Sequence, residues 1–153
     1  MYPIAKLTCA LALSATAMCA QTVSTLSVKT TGMVGIAEGE TARLNLLNPG
    51  VLPPAVGVVC TASVTFFDAN DTALKTANLT VLPGKSQSVD LHSDTDLSLA
   101  SNQRREIRAQ ITAQNSCKLV ATFEIFDSLT GRTQVLTGHT VSIASVTANP
   151  AQQ

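Results

Sequence analysis

Tryptophan is absent from the 153 residues, and the single tyrosine, Tyr2, lies at the extreme N-terminus. Four phenylalanines are the remaining aromatics, so the flat stacking platforms that hold bases or sugar rings are largely excluded. Charge is scarce as well: 13% of residues are charged, ten of each sign. A balanced chain of this kind carries no electrostatic footprint for nucleic acid or for an anionic membrane. The two histidines, His92 and His139, stand apart, and no Ser-His-Asp, Cys-His or His-rich metal spacing can be assembled from the linear pattern. After Gln21 no stretch shows helical periodicity long enough to define a helix.

What is present starts with a leader. Met1 to Lys6 form a short basic region and Leu7 to Ala17 an apolar one too short to span a bilayer, followed by small residues, which is the pattern of an export signal. Cleavage after Ala20 leaves Gln21 as the new N-terminus; cleavage after Ala17 satisfies the Ala-x-Ala rule through Ala15 and Ala17. Cysteine parity favours the first. It removes Cys9 and Cys19 and leaves two cysteines, an even set that an oxidising compartment can pair. Lipid modification of Cys19 is the competing reading, and the residues before it, Met18 and Thr16, fit it poorly. Removing twenty residues from 153 leaves 133, enough for one domain with a core. Nothing in that mature chain is apolar enough over sufficient length to cross a membrane. The expected location is secreted or periplasmic, with residues 1–20 a signal peptide, 21–146 one domain and 147–153 a flexible tail.

The domain reads as short alternating strands between turn signals. Val23 to Lys29 is the first. Gly32 to Gly39 holds a bend at Gly35 and a turn at Glu38-Gly39, after which Ala42, Leu44 and Leu46 alternate inward. Residues 48 to 57 contain three prolines and two glycines and read as a connection. A strand from Cys60 to Asp68 turns through 69–72 and returns as Leu74 to Leu82; Pro83-Gly84 reads as a hairpin turn into Ser86 to Leu91. Residues 92–103 are polar and irregular. Ile107, Ala109 and Ile111 alternate in the next strand, and a strand from Cys117 to Asp127 turns at Leu129-Thr130-Gly131 and returns through Thr133 to Val146, interrupted at Gly138.

Two of these strands share a register: Cys60, Ala62, Val64, Phe66 and Cys117, Leu119, Ala121, Phe123, each running into Phe-Asp and a turn. Both cysteines therefore lie on a core face. Eight or so strands, 7–9 in all, predict an all-β, two-sheet antiparallel sandwich of immunoglobulin-like type, stapled by a disulfide between Cys60 and Cys117; two unpaired buried cysteines are the alternative. Asp68 and Asp127 read as turn residues that accept backbone N–H groups.

Candidate sites are few. Asp90, His92, Asp94 and Asp96 alternate over seven residues and supply oxygen ligands, but without the glycine turn and terminal Glu of a calcium loop, so they are weak metal candidates. Arg104, Arg105 and Arg108 are the basic concentration, with Glu106 among them. Asn70 and Asn78 open N-glycosylation patterns. Phe67 and Phe126 oppose the core parity of their strands, and with Val51 and Leu52 of the Pro-rich loop they form a candidate partner-binding patch. No cofactor is expected.

The run ending in Phe67-Asp68, the Leu82-Pro83-Gly84-Lys85 turn and the run from Glu124 to Thr133 resemble uncharacterised exported bacterial β-sandwich proteins of immunoglobulin- or fibronectin-like type, over residues 30 to 145. The resemblance implies fold and compartment, not activity. The leading expectation is a noncatalytic secreted or cell-envelope module with a protein or surface partner. The export signal, single disulfide and Ala/Thr/Val/Ser-rich alternation also resemble chaperone-usher pilins, which implies a first strand, Val23 to Lys29, that completes a neighbour's sheet. A metal-dependent hydrolase built on His92 and the aspartates is a third reading.

Overall fold

The structure, a computed structural model, describes residues 25–50, 57–137 and the backbone of 140–147. Residues 1–24, which include the expected signal peptide with Cys9 and Cys19 and the start of the expected first strand at Val23, residues 51–56 with Val51 and Leu52, residues 138–139 with His139, and residues 148–153 lie outside the described residues.

Alternation sets the architecture. Ten strands form: β1 (Thr25–Thr31), β2 (Val34–Ala37), β3 (Glu40–Asn48), β4 (Cys60–Asp68), β5 (Ala73–Val81), β6 (Lys85–His92), β7 (Arg104–Gln114), β8 (Val120–Asp127), β9 (Thr133–Thr137) and β10 (Thr140–Thr147). One antiparallel sheet runs β10-β1-β7-β4-β5 with β2 also on β7; the other runs β6-β3-β8-β9. β1 and β2 share one edge of β7, pairing with Gln110–Gln114 and Arg104–Ile107 in turn. Counted as one broken strand they bring the total to nine, within the expected range. The break has a local cause. Thr31, 5% exposed, turns its hydroxyl to accept the Ala109 N–H at 2.9 Å, so the chain leaves β7 at Gly32-Met33 without orphaning that donor.

The two inner faces build a single core. Phe66 and Phe123, both almost fully buried, meet across the sheets with ring centroids 6.1 Å apart. Cys60 and Cys117 are disulfide-bonded with Cα atoms 5.5 Å apart, so β4 and β8 come from facing sheets with their starting ends adjacent. Cys60 opens β4, whereas Cys117 precedes β8 by three residues, its N–H donating to the Gln114 carbonyl.

Pro83-Gly84 makes the expected turn, with Gly84 at a φ of 71° that suits glycine, but not the expected hairpin. β5 and β6 belong to opposite sheets, so the turn is an arch over the sandwich edge. Asn48 explains it: buried inside that end, its side chain donates to the Val58 and Val81 carbonyls while its own carbonyl accepts from Gly84. The β4–β5 excursion between β3 and β6 is thus a Greek-key crossing. Residues 104–147 repeat the plan with sheets exchanged: β8–β9 cross to the four-stranded sheet between β7 and β10. β10 runs on to Thr147, one residue beyond the expected domain limit.

Strand direction gives the molecule two ends. At the disulfide pole lie residue 25, residues 48–50 and 57–60, the 81–85 and 114–120 connections and residue 147; the turns at 38–39, 69–72, 93–103 and 128–132 form the far pole. Closing a loop with a sequence separation of 57, the disulfide contributes about 4 kcal/mol on the chain-entropy account. Replacing both cysteines with alanine is expected to lower the unfolding free energy by roughly 2–5 kcal/mol in urea titration; an unchanged midpoint would contradict this.

Candidate functional site

The aspartates and the histidine singled out by the sequence as metal candidates gather toward the far pole, where each is already engaged. Asp90 takes both Nε and Nη2 of Arg43 at 2.7 Å. Asp94 Oδ1 accepts from the Gly39 N–H at 3.0 Å and the Ser93 hydroxyl at 2.9 Å. Asp96 Oδ2 accepts from Lys75 Nζ at 2.7 Å and the His92 N–H at 2.8 Å. His92 Nδ1 lies 3.0 Å from the Thr41 hydroxyl, which is 2.7 Å from Ser128 Oγ. Alternation along β6 sends Asp90 and His92 outward, and the turn beyond β6 aims Asp94 and Asp96 at different strands. The four therefore do not converge: among the described residues no three His, Cys, Asp or Glu side chains are placed to share an ion. They brace the turns instead, since Ser93, fully buried, also ties β6 to Glu40 through its N–H and hydroxyl.

Phe67 and Phe126 do face outward, as parity predicts, but from opposite sheets, Phe67 in β4 and Phe126 in β8. The reason is the staple: strands that present their cores to each other turn their other faces apart. Each ring lies under a guanidinium, Arg108 Cζ 4.6 Å from the Phe67 centroid and Arg43 Cζ 4.9 Å from that of Phe126, and each arginine is ion-paired, Arg108 with Asp71 at 2.7 Å and Arg43 with Asp90. The patch of Val51, Leu52, Phe67 and Phe126 is thus not assembled by the described residues. Both phenylalanines are covered hairpin ends, and each covering pair contributes about 0.5–1 kcal/mol at an exposed site. The arginine concentration is dispersed as well. Arg104 lies across Gly35 and against Glu106, where a Cβ on Gly35 would meet its guanidinium, and Arg108 serves Phe67. Of the glycosylation asparagines, Asn70 is in the exposed β4–β5 turn and Asn78 on the exposed edge strand β5. A shallow depression on the outer face of the six-stranded sheet, lined by Leu26, Ser63, Asn78, Thr112 and Gln114 among others, holds no titratable side chain.

The other concentration lies at the disulfide pole and was not foreseen. Leu47, Val58, Val59, Leu82 and Val120 are between 41% and 57% exposed, and Leu47 and Val120 are cross-strand partners on the outer face. Their parity, opposite to Leu46 and to Leu119 and Ala121, is the same signal that marked Phe67 and Phe126. Lys85 and Lys118 are exposed beside them, and Lys29 Nζ reaches the Leu119 carbonyl at 3.4 Å.

Compared with known proteins, the chain matches no family model, no curated protein and no solved structure.

Five aspartates titrate below the usual carboxylate range: Asp68, Asp94 and Asp127 through turn N–H groups of Thr72, Gly39 and Thr130, Asp90 through the Arg43 fork, and Asp96, against the opposing effect of its burial, through Lys75 and the His92 N–H. The folded state holds their protons less readily than the unfolded chain. Their stabilisation is therefore complete at neutral pH and is lost as pH falls below about 4. Thermal melts are expected to be level from about pH 7 to 5 and to drop below about pH 4, with Asp90→Asn removing part of that drop; a melting temperature held to about pH 3 would refute the assignment.

Proposed function

We propose that the chain is a noncatalytic binding module of an oxidising, extracytoplasmic compartment, and that it engages its partner through the disulfide pole. The observation that carries this reading is the contrast between the poles. The four candidate ligating side chains at the far pole, Asp90, His92, Asp94 and Asp96, are each engaged in bonds within the fold, whereas the disulfide pole leaves five large apolar side chains accessible. A folded surface retains such a cluster where something binds. The Cys60–Cys117 bond supports the compartment, because disulfides persist where thiols are not kept reduced, and the leader pattern of residues 1–20 agrees with it.

The pilin-like alternative asks β1 to enter a neighbour's sheet. Here β1 lies between β7 and β10 of its own chain, hydrogen-bonded on both sides, so the monomer's sheet is already filled and the module reading is preferred.

Intact mass of the protein recovered from periplasmic expression tests compartment and staple together. The expected species begins at Gln21, is two hydrogens light and resists alkylation until reduced; free thiols or an unprocessed leader would overturn the reading. Sedimentation over a hundredfold concentration range is expected to show no growing polymer, whereas polymers abolished by deleting residues 21–29 would restore the strand-exchange alternative.

A further inference from the structure

The chain's balanced charge conceals an uneven distribution of its carboxylates. Of its ten carboxylates, Asp90, Glu106 and Glu124 lie in the far halves of their strands, and the other seven lie in or beside the far-pole turns. None belongs to the disulfide pole, which instead carries Lys85 and Lys118 with Lys29 reaching toward it. The same pole holds five of the nine exposed large apolar side chains among the described residues. It is also where residues 1–24 join the domain: β1 begins at Thr25, whose carbonyl accepts the Asn115 N–H at 2.9 Å, two residues from Cys117.

We propose that the disulfide pole docks on the surface of an anionic phospholipid bilayer. The proposal rests on the reading of that pole as the binding end and names its partner. Val58, Val59, Leu82 and Val120 enter the headgroup region, while Lys85 and Lys118 meet lipid phosphates at its rim, the arrangement that anchors peripheral surfaces. The composition favours lipid over a protein partner. Protein interfaces concentrate aromatic side chains and arginine and are poor in lysine, and this pole offers lysine, valine and leucine while every arginine and every phenylalanine sits in the far half or middle of the sandwich. The acidic far pole is repelled by the same surface, which fixes the orientation. The apolar leader, Leu7 to Ala17, is attached on the membrane-facing side, so the domain meets the bilayer by the same end before and after processing.

The absence of tryptophan makes the test clean, since one introduced indole reports alone. In the exported full chain, Leu82→Trp is expected to shift its emission to the blue on mixing with phosphatidylglycerol vesicles, weakly or not at all with phosphatidylcholine vesicles, and less in high salt. Leu129→Trp, in a far-pole turn where Leu129 is 95% exposed, is expected to show no shift. Lys85→Glu with Lys118→Glu in the Leu82→Trp background is expected to weaken vesicle binding roughly tenfold or more, with the thermal melt unchanged. No shift at position 82, equal shifts at both positions, or binding indifferent to the lysine changes each overturns the proposal. If vesicles fail while concentration-dependent dimers form and are lost on Leu82→Glu, the occupant is a second copy and lipid docking is overturned though the binding end stands. A wrong intact mass instead strikes the compartment itself.

Discussion

The Cys60–Cys117 bond and the Phe66–Phe123 contact beneath it are the constraint on which the sandwich depends. Cys60 and Phe66 lie six residues apart along β4, and Cys117 and Phe123 six apart leading into and along β8, so one covalent link and one aromatic contact set the spacing and relative register of two sheets that share no backbone ladder. With those strands fixed, alternation decides the rest. Ala62 and Val64 on one side and Ala121 and Ile125 on the other can only turn inward, and β7 and β3 are drawn in beside them by the ladders they complete. Small residues next to the phenylalanines let the faces close at the separation a disulfide spans.

A domain whose surface chemistry is divided by poles manages its two ends differently. At the far pole, carboxylates substitute for missing strand partners: Asp68 and Asp127 each gather the N–H groups of a tight turn, and Ser93 and Asp94 stitch the β2–β3 turn to the loop after β6. At the disulfide pole the bond and Asn48 do that work from inside, satisfying the Val58 and Val81 carbonyls without any surface charge. Internal bracing is what leaves the outer side chains there free to be apolar.

The alternating pattern made most of the fold legible. The inward residues of β3, β4 and β7 follow from parity alone, and the cysteines placed at matched positions of two alternating runs are the pair that is bonded. Three things were not legible. The arch at Pro83-Gly84 looks like a hairpin turn because the local signal is the same; what differs is Asn48, thirty-five residues upstream of Pro83, whose side chain holds the crossing. Phe67 and Phe126 look like one patch because each is judged within its own strand, and only the pairing of facing sheets shows that they point apart. The separation of charge is invisible to net charge and to local spacing, since it depends on which strand ends share a pole.

One arrangement bears on how the molecule comes into being. β1, the first strand of the domain to be synthesised, is bracketed by β7 and β10, and β10 is the last. Until β10 has been synthesised, β1 has at least one open edge and the six-stranded sheet stays unfinished. A nascent chain therefore cannot close its six-stranded sheet until its last described strand arrives, a delay built into the strand order itself.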